Sequence, residues 1–313
     1  MYSLVIPVYN NRESLPELVE QIRGLQRDLA QPLETLFVID GSPDDSHAWL
    51  RRELPNAGLN ARLILLARNF GSFAAIRAGL AHATGEYAAV MAADLQEPPE
   101  VVARFFEVLS KDDVDVVVGV REARADPIAS RMLSTFFWGF YRRLVQPQIP
   151  PGGVDLFGCN RAFREQLVSL GETNTSLVAL VFWLGYRRAM VPYVRRARPY
   201  GRSAWTFRRK LKYLSDSVFA FTDLPVRLLF HAGVLGLLLS AVMSIVVLVA
   251  HFIGAIELPG YTATILVILF FGALNTFGLG IVGAYAWRAY ENTKERPGYL
   301  VLSDETISPK ADG

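Results

Sequence analysis

Over the first 120 residues, short apolar runs alternate with stretches whose apolar positions recur every three or four residues. Ser3 to Pro7, Leu36 to Ile39, Arg62 to Leu66, Tyr87 to Met91 and Asp115 to Val118 read as strands. Between them, Leu15, Leu18, Ile22 and Leu25 put one apolar stripe on a helix over residues 13–29. Further helices are predicted after Ser46, over 72–83 and after Pro98-Pro99. Strands and helices alternating at this spacing predict a mostly parallel sheet covered on both faces. Ligands of such sheets bind beyond the carboxyl ends of the strands. The polar residues there are the first candidates: Pro7 to Asn11, Asp40, Arg68-Asn69, and Asp94 to Glu97.

Farther along, the pattern changes. Met132, Phe136, Phe137, Phe140, Tyr141 and Leu144, with Arg131, Arg142 and Arg143, form an aromatic amphipathic helix over 130–145. It suits a core face or a bilayer surface equally well. Residues 187–215 carry ten Lys/Arg and no acid, with Phe207, Leu211, Leu214 and Val218 at helical spacing within and just beyond them. Such a run beside a membrane span points to anionic headgroups or a lipid phosphate.

From Leu228 to Ile256, and again from Leu258 to Trp287, no Asp, Glu, Lys or Arg occurs. Each run exceeds the ~20 residues that cross a ~30 Å hydrocarbon core, and Leu258-Pro-Gly260 between them makes a turn. A two-helix transmembrane hairpin is predicted, at about 228–254 and 262–287; a pair of buried core helices is the alternative. Arg227 precedes the first span, Arg288, Lys294 and Arg296 follow the second, and the loop carries only Glu257. The positive-inside rule then leaves both ends in the cytoplasm. The apolar start at Met1 is too short for a signal peptide and has no basic n-region. The expected organisation is a cytosolic domain over 1–225, a membrane region over 226–290 and a cytosolic tail over 291–313, disordered beyond about Ser303. Gly278-Leu-Gly280-Ile-Val-Gly283 matches a dinucleotide fingerprint, but one that works only between a strand and a helix. Inside a span, Gly280 and Ala284 are expected instead to let two helices approach closely.

Composition fits this division. The 313 residues are 51% hydrophobic and 20% charged, and the mean hydropathy of +0.25 reflects the hairpin. A net charge of +2 gives no global polycation, so nucleic acid is not an expected partner. The single cysteine, Cys159, excludes an internal disulfide framework and a multi-cysteine metal knuckle.

Five segments then occur in a telling order: Ile6-Pro-Val-Tyr-Asn10, Val38-Ile-Asp-Gly-Ser-Pro43, Arg68-Asn-Phe-Gly71, Ala92-Ala-Asp-Leu-Gln-Glu-Pro-Pro99 and Gly153-Val-Asp-Leu156. The chain resembles the family-2 glycosyltransferases. Within them it is most similar to the branch of dolichol-phosphate mannose synthase and bacterial polyprenyl-phosphate glycosyltransferases, over essentially residues 2–225. The resemblance implies an α/β, Rossmann-like GT-A domain followed by amphipathic helices and the hairpin. It implies transfer of a hexose from a nucleotide sugar, UDP favoured, to a polyprenyl phosphate such as undecaprenyl phosphate, with inversion. The implied setting is the cell inner membrane, multi-pass, with a cytoplasmic catalytic domain, and a homotetramer is compatible with it. Pro7, Tyr9, Asn11 and Val38 would line the nucleotide pocket and Asp40 would contact base or ribose. Asp94 and Gln96 would hold Mg2+ or Mn2+, while Arg121 and Arg198 would meet the diphosphate. Asp155 would orient or deprotonate the acceptor, or tie down a glycine-rich loop.

The chemistry of the residues agrees with these assignments. A departing diphosphate gains charge and needs cations around it. Hard cations choose oxygen ligands, and guanidinium forks match phosphate oxygens. On residue type alone Asp94 could equally cap the helix that follows, and each arginine could be a surface ion pair. The chain also departs from the family pattern. Ala92 stands at the first carboxylate of the Asp-x-Asp motif, Ile39 at the Asp before Asp40, Asn11 at a usual Glu, and Ala204 at a usual Lys. One carboxylate and a carbonyl still suffice for a cation that arrives with phosphates and waters. Two rivals remain. A processive polysaccharide synthase lacks support because the Gln-x-x-Arg-Trp signature is absent. A membrane-anchored pseudoenzyme that binds donor without turnover would explain Ala92, Ile39 and Asn11.

Overall fold

The computed structural model describes residues 1–111, 113–123, 138–139, 141–143, 145–151, 153–171, 175–201, 207–253 and 260–308. Strands β1 (Tyr2–Val8), β2 (Leu33–Ile39), β3 (Asn60–Leu66), β4 (Tyr87–Val90), β5 (Val116–Ala123), β6 (Phe157–Asn160), β7 (Arg188–Val194) and β8 (Val301–Ile307) form one sheet. Its order is β7-β5-β6-β4-β1-β2-β3-β8. β4, β1, β2 and β3 run parallel, as do β5 and β7. β6 and β8 run against their neighbours. All seven residues of β2 are buried, as a central strand covered on both faces requires.

Helices α1 (Leu15–Asp28), α2 (Ser46–Glu53) and α4 (Pro99–Leu109) cover one face. Helices α3 (Ser72–His82), α5 (Arg161–Ser169) and α6 (Leu177–Trp183) cover the other. This is the three-layer, Rossmann-like arrangement of a GT-A domain. α3 lies so close that a Cβ on Gly79 would stand 2.3 Å from Val5 Cγ1. Cys159 is fully buried in β6, and burial pushes its thiol up to about 12, so it is an inert core residue.

The amphipathic helix α7 (Phe207–Phe221) leads into α8 (Leu224–Phe252), and α9 (Tyr261–Thr293) returns. At 1.5 Å per residue the last two span ~44 and ~50 Å, long enough to cross a bilayer. Their apolar windows are only 6% and 11% buried. That argues against a pair of core helices, which would hide such side chains within the protein. The helices approach at Gly278, where a Cβ would meet Leu229 Cδ1 at 2.9 Å, and at Gly236, against Phe271 at 3.1 Å. The expected small residue, Gly280, has nothing within 4 Å of a Cβ. The shared face of the hairpin is thus offset from the expected one. Residues 254–259, which hold most of the turn, lie outside the described set.

The structure bears on three further expectations. The tail beyond Ser303 is not disordered through its length: Val301–Ile307 forms β8, antiparallel to β3. Arg62 and Arg51 hold it through Asp304 and Glu305. The inward face of α7 coincides only in part with the expected stripe, of which the Phe207 side chain lies outside the described set. Leu211 is 57% exposed, whereas Tyr213, Leu214 and Phe221 pack on the core and Ser217 is buried. A buried hydroxyl network decides this rotation. Tyr213 Oη lies 2.6 Å from Ser176 Oγ, Tyr141 Oη donates to Ser217 Oγ at 3.0 Å, and the two tyrosine rings stack. Tyr141 is therefore a core residue; Arg131, Met132, Phe136, Phe137, Phe140 and Leu144 lie outside the described residues. Part of the basic run, finally, is paired with the chain's own carboxylates, two of the three pairs at the surface. Arg187 pairs with Asp115, Arg196 with Glu100 and Arg198 with Asp94.

Candidate functional site

The carboxyl ends of β4, β1 and β2 are neighbours, so the loops after them converge. After β1 the chain turns at Asn10 (φ 55°), whose amide donates to Ser42 Oγ at 2.8 Å. Asn11 Oδ1 accepts from the Tyr9 amide at 3.1 Å, and Tyr9 stands at the rim, 38% exposed. Buried Ser14 sews this loop to the next, with Oγ 2.9 Å from the carbonyl of Asn11 and 2.7 Å from that of Ala93. Pro7 is half-buried and sits in register with Val38. The Val38 side chain is wholly within the core, so its expected pocket contact is limited to the backbone.

Asp40, directly after β2, is 2% exposed. Its two carboxylate oxygens accept from the amides of Phe70 (2.7 Å) and Gly71 (2.9 Å). Burial raises its pKa, against the opposing pull of those amides and of Arg68. Both oxygens thus hold the loop after β3, and any contact with base or ribose uses only their remaining lone pairs. Gly41 makes this packing possible: at φ +56°, a Cβ there would lie 2.3 Å from the carbonyl carbon of Arg68.

The second half of the site centres on the turn after β4. Leu95 holds a left-handed φ of 62°, an uncommon conformation for leucine that turns Asp94 and Gln96 toward the strand ends. Asp94 Oδ1 accepts from the Gln96 amide at 3.2 Å. Its Oδ2 pairs with Arg198 Nη2 at 2.6 Å. Gln96 Oε1 accepts from Arg195 at 2.5 Å and from Arg198 at 3.2 Å. Asp155 receives Arg121, in an ion pair only 11% exposed on the arginine side, and the Tyr193 hydroxyl at 3.0 Å. Burial, then the negative charge of Asp155, raises the Tyr193 phenol, so it stays protonated and donates.

Asp94, Gln96, Asp155, Arg121 and Arg198 are therefore brought together. Arg121 is committed to Asp155 instead of standing open for a diphosphate. Arg198 sits on Asp94. Pro7, Tyr9, Asn11 and Asp40 form the adjoining half, joined through Ser14.

Two residues of the site, Tyr193 and Arg195, were not among the candidates in the sequence. Tyr193 in β7 and Arg195, directly after it, follow Val191 at the period of two, a pattern that places them on one face. Glu97 is 2% exposed, and its Oε2 has no hydrogen-bond partner. Burial, reinforced by Asp94 and Asp155, pushes it up to about 8.

The donor set suits a hard cation in part. Asp94 and Gln96 offer oxygens, yet among the described residues no group of three or more His, Cys, Asp or Glu forms a metal cage. Ala92, half-buried two residues before Asp94, leaves one carboxylate where two would stand. These residues fit a cation delivered together with a diphosphate.

The description "Glycosyl transferase family 2" matches residues 3–170. CsbB of Bacillus subtilis (strain 168), whose name assigns it provisionally to the glycosyltransferases, is 32% identical over 301 residues, 96% of this chain and 91% of that protein. The undecaprenyl-phosphate 4-deoxy-4-formamido-L-arabinose transferase of Klebsiella pneumoniae (strain 342) is 31% identical over 321 residues, covering 99% and 96%. Among solved structures, the mannosyltransferase PcManGT from Pyrobaculum calidifontis, in complex with GDP-Man and Mn2+, covers 91% of this chain and 87% of its own. It is 17% identical, with a TM-score of 0.46.

Proposed function

Because the chain belongs to glycosyl transferase family 2, we propose that it transfers a hexose from a nucleotide donor, UDP-linked, to a polyprenyl phosphate with inversion. Glucose or a related sugar is the favoured cargo. One observation carries this reading: an arginine and carboxylate cluster at the strand ends belongs to a sheet that holds both ends of an apolar hairpin. α7 packs on the domain before the hairpin, and β8 rejoins the sheet after it. The catalytic pocket and a bilayer-embedded acceptor are thereby kept within reach of each other. The relatives named undecaprenyl-phosphate transferases align along nearly the whole chain, hairpin included, and support the same acceptor.

The residues divide the work. The loops carrying Pro7, Tyr9, Asn11 and Asp40 receive the nucleotide. Arg198 and Arg195 supply positive charge where the diphosphate departs, with bidentate geometry suited to phosphate oxygens. Asp94 and Gln96 would hold Mg2+ or Mn2+, which would supply Lewis-acid neutralisation of the same group. Asp155, fixed by Arg121 and Tyr193, faces the acceptor. A phosphate oxygen is already ionised and needs orientation more than deprotonation. Attack from the side opposite the leaving group inverts the anomeric carbon. With Arg227 and Arg288 flanking the spans, the domain lies on the cytoplasmic side of the inner membrane. Assembly as a homotetramer belongs to the same reading and is checked by the mass of the detergent-solubilised protein.

The test is transfer of radiolabelled sugar from UDP, GDP and dTDP donors to undecaprenyl phosphate, with Mg2+ or Mn2+. Label is expected in the lipid fraction. Asp94→Asn should lower turnover by roughly 10²–10³-fold, the range seen when one transition-state charge contact is removed. Absence of lipid label with every donor sinks the proposal. Ala92→Asp addresses the pseudoenzyme alternative: donor binding without transfer in the wild type, with transfer gained in this variant, would favour that alternative.

A further inference from the structure

The geometry points to a second duty for Arg198: it is the exchangeable counter-ion of Asp94, and its exchange couples nucleotide binding to divalent-cation binding. This rests on the reading of Asp94 as a cation ligand given above.

Arg198 Nη2 lies 2.6 Å from Asp94 Oδ2 and 3.2 Å from Gln96 Oε1. These are the two side-chain oxygens that a hard cation would use. The guanidinium thus stands on the cation's own ligands. It is held there by the chain that follows β7. The Arg196 amide donates to the Gln96 carbonyl at 2.9 Å, Gln96 Nε2 donates back to the Arg196 carbonyl at 3.4 Å, and Arg195 shares Gln96 Oε1. Residues 195–198 therefore form a strap anchored at Gln96, with Arg198 at its far end from β7.

The pair is sheltered: side-chain exposure is 13% for Asp94 and 26% for Arg198. Solvent screens such a pair weakly, so a guanidinium and a divalent ion cannot share one carboxylate without strong repulsion. Ala92 sharpens the conflict. With a second carboxylate at that position, arginine and cation could each have a partner; with one, they compete. A nucleoside diphosphate resolves the competition, because its oxygens offer the guanidinium fork a bidentate partner. Arg198 then turns from Asp94 to the diphosphate, and the freed carboxylate accepts the cation. By linkage the coupling is reciprocal: nucleotide tightens the cation, and the cation tightens nucleotide, by the same factor. The arrangement keeps Asp94 neutralised when no donor is present and admits the ion with its substrate.

Mn2+ binding to the full-length, detergent-solubilised protein, read from the EPR signal of free Mn2+, tests this without any turnover. Without nucleotide, Arg198→Gln should bind Mn2+ roughly tenfold more tightly than wild type, within the ordinary range of coupling between sites. Adding UDP, or GDP in parallel, should tighten Mn2+ in the wild type by roughly tenfold more than in Arg198→Gln, where only the diphosphate's own oxygens are added to the site, once the Mn2+ bound by nucleotide in protein-free solution is subtracted. Arg198→Lys keeps the charge without the fork and should fall between, which keeps the test informative if Arg198→Gln melts early. Equal or weaker Mn2+ binding by both variants in the absence of nucleotide overturns the exchange. So does a nucleotide effect that survives intact in both, or no saturable Mn2+ binding in any form. Asp94→Asn separates this from failure of the underlying reading. If it binds Mn2+ as the wild type does, Asp94 is not the ligand and the site assignment itself falls.

Discussion

Arg62 on β3 and Asp304 on β8, 242 positions apart in the sequence, meet in a two-pronged ion pair, at 2.7 and 2.5 Å. Both long apolar helices lie inside that loop, so the pair fastens the chain that follows them back to the sheet. The hydrogen bonds from Arg62 lower the Asp304 pKa. A carboxylate with a depressed folded pKa adds stability above its unfolded pKa of about 4 and loses it as pH falls through the folded value. Asp304→Asn should therefore cost about 1 kcal/mol at pH 7 and progressively less below pH ~4. Thermal unfolding across pH, with limited proteolysis of residues 300–307, checks both parts.

Gly41→Ala should be among the most damaging single-methyl changes in the chain. The new Cβ would stand 2.3 Å from the Arg68 backbone, at a φ of +56°. A loss of roughly 2–3 kcal/mol is expected, as clash and left-handed strain combine. Because Asp40 must move with it, UDP binding by calorimetry should weaken along with the melting temperature.

Tyr193→Phe removes one hydroxyl and leaves the ring in place. Asp155 keeps Arg121 but loses a 3.0 Å donor. Hydrogen bonds to charged groups are worth about 1.5–3 kcal/mol, so turnover should fall roughly 10- to 100-fold. Donor KM should hardly change, since Tyr193 acts through Asp155. A shift confined to donor KM would count against this assignment.

Glu97 gives the opposite pH signature to Asp304. Its pKa in the folded chain is about 8, against about 4.3 when unfolded. Between those values the native state holds the extra proton, so stability falls as pH rises from about 4.3 to about 8 and levels off beyond. Glu97→Gln mimics the protonated form. It should flatten this slope and stabilise the fold at pH 8 by on the order of a few kcal/mol, read as a higher melting temperature. An unchanged slope would show that the carboxylate is ionised and solvated in the native state.

Much was legible along the chain because it depends on local patterning. Short apolar runs located the first five strands, period-3.6 spacing and turn residues located α1 to α4, and the charge-free runs located the hairpin. The polar residues after β1, β2 and β4 were found because a parallel sheet gathers ligands at its strand ends. Their pairing was hidden. Asp94 and Arg198 are 104 residues apart, and nothing near either one says that the first neutralises the second. Val38, apolar within a strand, reads the same whether its side chain lines a pocket or fills the core.

Val301 to Ile307 shows the division most clearly. Its Ser-Asp-Glu-Thr centre reads as a solvated tail, and only Arg62 and Arg51, brought alongside by the fold, turn it into an edge strand. The rotation of α7 was likewise decided by Ser176 and Tyr141. Backbone periodicity and hydrophobic length act over a few residues and are carried by the sequence itself. Which charge meets which, and which face of a helix turns inward, depends on partners that only chain closure in three dimensions puts within a few ångströms.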